Sequence, residues 1–230
     1  PEIVDLACFL NKCGAQIDGA GKSEIIIEGV DQLHGAEHNV IPDRIVAVTY
    51  LCCAAITDGE LLLKRVRPDD IAAVLPVLKE MGCKIITAQD SIYLRGRSRL
   101  KPGGTIRTMP YPGFPTDAQA PLMALSTLSD STTVFVENIF ENRFKHAGEL
   151  RRMGADIKIE GKVAVVQGVE RLFGAPVQAT DLRGGAALVI AGLAAEGMTT
   201  IGEIHHIKRG YEKIEENLRT LGARIWETNA

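Results

Sequence analysis

The stretch from Met153 to Gln167, MGADIKIEGKVAVVQ, contains the pattern that decides the fold. Gly154 follows a charged amphipathic segment, and a glycine just beyond a helix readily takes the left-handed conformation that ends the helix. Two runs with apolar residues at alternate positions then flank Gly161, which is typical of two antiparallel strands joined by a tight turn. The stretch therefore predicts the end of a helix followed by a β-hairpin.

The same pattern recurs along the chain, because Gly14, Gly82, Gly154 and Gly222 are roughly 70 residues apart. Self-similarity at a nearly constant period indicates a repeated structural unit. The predicted hairpins are Ala15–Asp18 with Glu24–Glu28, Lys84–Thr87 with Ser91–Leu94, and Asp156–Glu160 with Val163–Gln167.

A second kind of helix, apolar on nearly all sides, precedes each amphipathic one after residue 42. Helices of this kind belong in the interior of a domain. Each is followed by a strand, and the amphipathic helices are then predicted to begin near Pro68, Arg143 and Arg209. The predicted inner helices are Arg44–Ile56, Ala118–Leu128 and Arg183–Ala195, and the strands that follow them are Glu60–Lys64, Thr132–Val136 and Thr199–Glu203.

The repeated unit is therefore helix–strand–helix–strand–strand, which indicates the α/β class with helices packed inside sheets. It occurs three times in a predicted domain 42–230, where the last copy is short. Residues 1–41 carry the second half of another unit and form the end of a separate domain, with Gly35–Asn39 and Pro42 as the crossover. Because the chain begins at Pro1 rather than methionine, we expect a fragment or a processed chain.

Composition excludes several classes of function. A net charge of −3 and an aromatic content of 5% argue against nucleic-acid binding. No apolar run approaches the roughly 18 residues of a membrane span, which favours a cytoplasmic protein. Five cysteines without a C-x-x-C pair fit a reducing compartment, and the adjacent Cys52 and Cys53 are predicted to be buried, inert thiols.

Charged residues recur at the starts of helices. Arg67, Arg143 and Arg209 each lie between a β-rich run and an amphipathic helix, while Asp117 and Asp181 open inner helices. A guanidinium beside free helix N–H groups can bind phosphate or carboxylate, and a carboxylate there can accept a proton from a substrate hydroxyl. The pattern points to a small substrate with several negative charges.

Each of these residues also has a purely structural interpretation. Thr116, Asp117 and Asp181 suit the N-cap position of a helix, and an exposed arginine is usually a solvated surface residue. Arg183 is harder to explain in this way, because it lies in an apolar helix where an unpaired charge would be costly. We expect one anion-binding patch, formed by Asp117, Arg143, Arg183 and Arg209.

No metal or cofactor is predicted. His205 and His206 lack a carboxylate or cysteine partner at metal-binding spacing. Gly103-Gly104 and Gly184-Gly185 do not form a phosphate-binding loop or a dinucleotide fingerprint.

Five motifs together resemble the UDP-N-acetylglucosamine 1-carboxyvinyltransferase family of the EPSP synthase superfamily. They are Phe114-Pro-Thr-Asp117, Phe140-Glu-Asn-Arg-Phe144, Met153-Gly-Ala155, Ala179-Thr-Asp-Leu-Arg183 and Arg209-Gly-Tyr211. The resemblance implies an inside-out α/β barrel. It also implies transfer of the enolpyruvyl group of phosphoenolpyruvate to the 3-hydroxyl of UDP-N-acetylglucosamine, the step that opens bacterial peptidoglycan synthesis.

The resemblance also implies roles for individual residues. Asp117 matches a proposed base that contacts the sugar hydroxyl, with Thr116 beside it, and Ile139 matches a contact to the nucleotide sugar. The anion pocket is matched by Arg143, Arg183 and Arg209, with Asp181 alongside, and Arg209 is also expected to be catalytic.

The likeness covers only the C-terminal half of that family. The lysine–asparagine pair, further arginines and catalytic cysteine loop of the family's first domain are not matched here. We therefore expect the missing N-terminal half to be a partner, the chain alone to be inactive, and an edge of its second domain to be unfilled. A 3-phosphoshikimate enolpyruvyl transferase and a non-catalytic anion-binding module remain as alternatives.

Overall fold

The computed structural model describes residues 1–228 and divides the chain into two compact units. The first unit, Pro1–Asp43, contains helix α1 (Glu2–Lys12) and an antiparallel hairpin of β1 (Gln16–Asp18) and β2 (Ile26–Glu28). Gly14 ends the helix with a φ of +98°, as the sequence predicts.

Three apolar helices form the centre of the second unit, which begins at Arg44. They are α2 (Arg44–Ile56), α4 (Thr116–Ser126) and α6 (Leu182–Ala194), and each packs against the other two. Helix α4 ends two residues before the predicted Leu128, and hydroxyls bond carbonyls near its end: Ser126 Oγ donates to the Leu122 carbonyl and Thr127 Oγ1 to that of Ala124. The prediction of inner helices is confirmed.

Separate sheets lie around these helices. One sheet has the order β3-β5-β4, from Glu60–Lys64, Ser91–Arg95 and Lys84–Thr87. Another has the order β6-β7-β9-β8, from Thr105–Arg107, Thr132–Val136, Val163–Gln167 and Asp156–Glu160. The third pairs β10 (Pro176–Gln178) with β11 (Thr200–Gly202) in parallel. These elements establish the α/β class.

The outer helices begin later than predicted. A 3₁₀ turn, Pro68–Ile71, precedes α3 (Leu75–Glu80), and α5 is His146–Arg152. Arg209 follows the short α7 (His205–Lys208), and α8 is Ile214–Thr220. Left-handed backbone at Asn142 (φ 53°) and Lys213 (φ 47°) interrupts the helical path, so Arg143 and Arg209 lie in turns outside the main helices.

The elements define three copies of the repeat: copy one from α2 to β5, copy two from α4 to β9, and copy three from α6 to α8. In copies one and two the last strand of the copy lies between the other two. Copy three is short, as predicted, because no hairpin follows α8 within residues 1–228. A cavity of about 870 Å³ lies at this place, lined among others by Tyr50, Met198, Leu218, Ile225 and Trp226.

Most of the cysteine thiols are enclosed. Cys13, Cys52, Cys53 and Cys83 are buried, Cys8 is exposed, and all five are free thiols. Burial raises the pKa of Cys53 to about 12 and that of Cys83 to about 11. Within the described part of the chain, no helix is long and apolar enough to cross a membrane.

Candidate active site

Asp117 lies in the first turn of α4 and is held by two arginines. Its Oδ1 accepts a hydrogen bond from Arg143 Nη2 at 2.6 Å, and its Oδ2 accepts from Arg183 Nε at 3.1 Å and lies 3.0 Å from Arg183 Nη2. The Asp117 side chain remains 37% exposed, so solvent or a ligand can reach it. These three residues, called here the Asp117 cluster, place two positive charges and one negative charge together.

Arg183 is also held by Tyr211, a second residue of copy three. Its Nη1 donates to the Tyr211 hydroxyl at 3.2 Å, and its guanidinium stacks over the Tyr211 ring at 5.6 Å. The Tyr211 hydroxyl is 2.9 Å from Thr49 Oγ1 on α2. Burial lowers the pKa of Arg183, but Tyr211 and Asp117 raise it by more, so the guanidinium stays charged. The bonds connect all three inner helices.

Asp181 is the N-cap of α6. Its Oδ1 accepts from the backbone N–H groups of Arg183 at 3.0 Å and Gly184 at 2.9 Å. Burial raises the pKa of Asp181, but the Gly184 N–H, the charge of Arg143 and the other neighbours lower it by more. The carboxylate is therefore ionised, and it fixes the backbone from which Arg183 extends.

Glu137 organises the loop that carries Arg143, and the sequence gives no signal for this role. The side chain is buried at the end of β7, where Oε1 accepts from Thr108 and from the N–H groups of Ile139 and Phe140. Its Oε2 accepts from Thr116 Oγ1 at 3.0 Å. The Thr116 hydroxyl therefore donates to Glu137, and this buried carboxylate connects the start of α4 to the loop that carries Arg143.

The remaining predicted residues lie outside the Asp117 cluster. Arg143 and Arg183 both contact Asp117, whereas Arg209 is exposed and makes no hydrogen bond or ion pair within residues 1–228. Arg209 lies two residues before Tyr211 in the chain. Ile139 is 36% exposed in the Glu137 loop. Arg67 instead pairs with Asp70 at 3.4 Å within copy one.

His146 is a further group near the site that the sequence interpretation missed. It is 1% exposed at the first position of α5. Burial lowers its pKa to about 4, with Arg143 adding to the decrease and Asp181 opposing it. The imidazole is therefore uncharged at neutral pH, close to a charged arginine and a charged carboxylate.

The arrangement can bind an anion and accept a proton beside it. Arg143 and Arg183 are bidentate donors suited to phosphate or carboxylate. An incoming anion would compete with Asp117 for their N–H groups, which would release the carboxylate to accept a proton from a neighbouring hydroxyl. No group of three or more histidine, cysteine or acidic side chains in the described residues is arranged to hold a metal ion.

Comparison with known proteins adds three kinds of relative. The family described as EPSP synthase (3-phosphoshikimate 1-carboxyvinyltransferase) matches residues 1–218. UDP-N-acetylglucosamine 1-carboxyvinyltransferase 1 of Caldanaerobacter subterraneus subsp. tengcongensis is 55% identical over 226 residues, which is 98% of this chain and 54% of the relative. The enzyme named UDP-N-acetylglucosamine 1-carboxyvinyltransferase from Zymomonas mobilis is 53% identical over 98% of this chain and 53% of its own length.

Solved structures with the same fold include the enolpyruvyl transferase NikO from Streptomyces tendae. It has a TM-score of 0.84 at 30% identity and is matched over 96% of this chain and 53% of its own. An EPSP synthase from Acinetobacter baumannii has a TM-score of 0.74 at 20% identity, over 96% of this chain and 54% of its own, which supports the fold alone. The chain spans about half the length of the curated relatives it matches.

Proposed function

Because this chain belongs to the EPSP synthase family, we propose that it is the C-terminal half of a UDP-N-acetylglucosamine 1-carboxyvinyltransferase. The reaction moves the enolpyruvyl group of phosphoenolpyruvate to the 3-hydroxyl of UDP-N-acetylglucosamine and releases phosphate. It belongs to peptidoglycan synthesis in the cytoplasm. The observation that carries the proposal is the Asp117 cluster, in a chain 53–55% identical to relatives with that name.

The chemistry of this transfer fits the cluster. The sugar hydroxyl adds to C2 of phosphoenolpyruvate and loses its proton, while C3 gains a proton. Phosphate and a C3 proton then leave, which restores the double bond. Asp117 is proposed to take the hydroxyl proton and to contact the sugar. Arg143 and Arg183 stabilise the phosphate and carboxylate charges, and preorganised positive charge suits such a transition state.

The other proposed site residues surround this centre. Asp181 holds the backbone of Arg183, and Thr116 lies beside Asp117. Ile139 offers an apolar contact to the nucleotide sugar. Arg209 makes no ion pair within residues 1–228. Its side chain is proposed to turn toward the phosphoenolpyruvate anion and bind it when the substrate enters the site.

The partner in this proposal is the other half of the enzyme, and the whole second domain is proposed to be an inside-out barrel. In copies one and two a strand fills the space between the first strand and the hairpin partner. In copy three no strand follows α8 within residues 1–228, and the cavity beside Trp226 is lined by residues of β11 and of the segment after α8. We propose that a strand from the rest of the protein fills it.

The alternatives have less support. The family description names 3-phosphoshikimate chemistry. However, the relatives at 53–55% identity carry the nucleotide-sugar name. A non-catalytic module would not need a carboxylate between two substrate-facing arginines.

A complementation experiment tests the proposal. The purified chain is mixed with a separately expressed N-terminal half from the same enzyme, and phosphate release is measured with phosphoenolpyruvate and either UDP-N-acetylglucosamine or shikimate 3-phosphate. We expect turnover with the nucleotide sugar only, and none from the 230-residue chain by itself. Turnover with shikimate 3-phosphate would favour the first alternative, and binding without turnover by the mixture would favour the second.

A further inference from the structure

One position of the repeat has a different chemistry in copy two. Eight residues before the glycine that ends each outer helix, the chain has Leu6, Val74, His146 and Ile214. In the second unit all of these are buried: Val74 is 0% exposed, His146 1% and Ile214 6%. An aliphatic side chain thus satisfies the fold at this position, and packing alone does not explain a histidine.

The surroundings of His146 connect it to the active site. A Cβ placed on Gly184 would lie 3.0 Å from His146 Cβ and 3.2 Å from Asp181 Oδ2. The imidazole-bearing carbon and the capping carboxylate therefore pack around one glycine in the first turn of α6. Thr180 Oγ1, which would be 2.7 Å from the same point, donates to Asp181 Oδ2 at 3.3 Å.

His146 also keeps a buried polar atom unsatisfied. Its Nε2 is buried and has no hydrogen-bond partner within residues 1–228. Such an atom is destabilising compared with an apolar group of the same shape, so a purely structural position would favour the aliphatic residue of the other copies. The charges of two side chains shift the pKa of the ring in opposite directions. Asp181, at the start of α6, raises it, and Arg143, in the loop before α5, lowers it.

We propose that His146 is a positioning residue of this site, whose imidazole holds the first turn of α6 and thereby keeps Asp181 at the helix start and Arg183 directed toward Asp117. The ring dipole stabilises the Asp181 carboxylate, which an aliphatic side chain cannot do. A neutral ring also adds no positive charge beside Arg143 and Arg183. The inference rests on the proposed function for the identity of the ligand that binds at this site.

The first arm of the test uses the chain without substrate. His146→Leu is compared with His146→Gln, which keeps an uncharged polar group, and with Val74→Leu in copy one as a control for core packing. The readouts are Tm and the rate at which the Arg183 Nε–H exchanges with water by nitrogen-15 NMR. We expect His146→Leu to keep or raise Tm yet speed the exchange at least tenfold, and His146→Gln to restore slow exchange. If the leucine variant does not fold, His146→Val, the residue of copy one, carries the same test.

The second arm uses the complemented enzyme. We expect His146→Leu to lower kcat at least tenfold with a smaller change in KM, and His146→Gln to recover most of it. Slow Arg183 exchange in His146→Leu, or equal losses in both variants that follow a fall in Tm, would overturn the inference. If the unmutated mixture shows no turnover, the proposed function fails, while the exchange rate still decides the role of His146.

Discussion

Copies one and two share a backbone plan but differ in what they place at equivalent positions. The second residue of the inner helix is the buried Ile45 in copy one and the half-exposed Asp117 in copy two. The arginine at the strand–helix junction is bound to a local carboxylate, Asp70, in copy one. In copy two the corresponding Arg143 reaches Asp117 at the start of that copy's inner helix.

The difference separates what the fold requires from what the site requires. Copy one folds with an aliphatic residue where copy two has a carboxylate, so the framework does not depend on charge at this position. Half-buried ion pairs contribute little net stability because desolvation offsets much of their attraction. The charges of copies two and three are therefore best explained by the anion chemistry proposed above.

The largest expected effect is at Asp117. Asp117→Asn should lower kcat of the complemented enzyme by about 10²–10⁴-fold, because the amide cannot accept the hydroxyl proton. Unfolding in urea should change little. The exposed Asp69→Asn in copy one is the matched control and should leave kcat unaltered. Equal rates for both variants would mean that copy two has no special role in catalysis.

The second effect is a pH dependence that copy one lacks. The folded pKa of His146, about 4, is below its unfolded value, so the unfolded chain takes up the proton first as the pH falls. This contribution to stability is complete above roughly pH 6.5 and is lost toward pH 4, by about 3 kcal/mol.

Urea unfolding between pH 7 and pH 4 measures this loss. His146→Leu should remove most of it, whereas His205→Leu, at an exposed histidine, should not. A wild-type slope retained in His146→Leu would assign the acid sensitivity to the carboxylates.

The third effect concerns the buried carboxylate of copy two. Glu137→Gln replaces an acceptor oxygen with an NH₂ group that must face a hydroxyl or backbone N–H donor. We expect a loss of about 2 kcal/mol in the free energy of unfolding. Arg65→Gln, at the exposed residue after β3 in copy one, should cost much less. Equal losses would show that Glu137 does not organise the loop.

The smallest expected effect is on substrate affinity, and it concerns the arginines between a strand and an outer helix. Arg209→Ala should weaken phosphoenolpyruvate binding by the complemented enzyme about tenfold, or about 1.4 kcal/mol. Arg67→Ala should leave affinity unchanged, because Arg67 is bound within copy one. Isothermal titration measures both. Unchanged affinity in Arg209→Ala would remove that residue from the anion site.

Local periodicity made much of this fold predictable. The inner helices appear near their predicted bounds because each has its own apolar pattern, and each of the three hairpins follows a left-handed glycine that ends an outer helix. Strands β6 and β10 were not predicted, since they precede the inner helices and lie outside the repeated unit read from the sequence. The outer helices begin late because Asn142 and Lys213 adopt a left-handed backbone conformation, which their residue types do not predict.

The site was only partly predictable for a related reason. Asp117 and Arg183 stand out because charge is unusual at the start of an apolar helix, and Arg143 because an arginine recurs between a strand and an amphipathic helix. Glu137 resembles any acid after a strand, since its four donors come from distant or backbone groups. His146 could have been found by aligning the copies, where it replaces aliphatic residues.

The buried cysteine thiols can report when the core of the protein opens. Cys52 and Cys53 lie on α2, Cys83 follows α3, and all three have a raised pKa because they are buried. A thiol reagent should therefore modify Cys8 at once and these three only when the core around them opens. The difference in rate between the fast and slow labelling phases would measure how often the core opens to solvent, without any introduced probe.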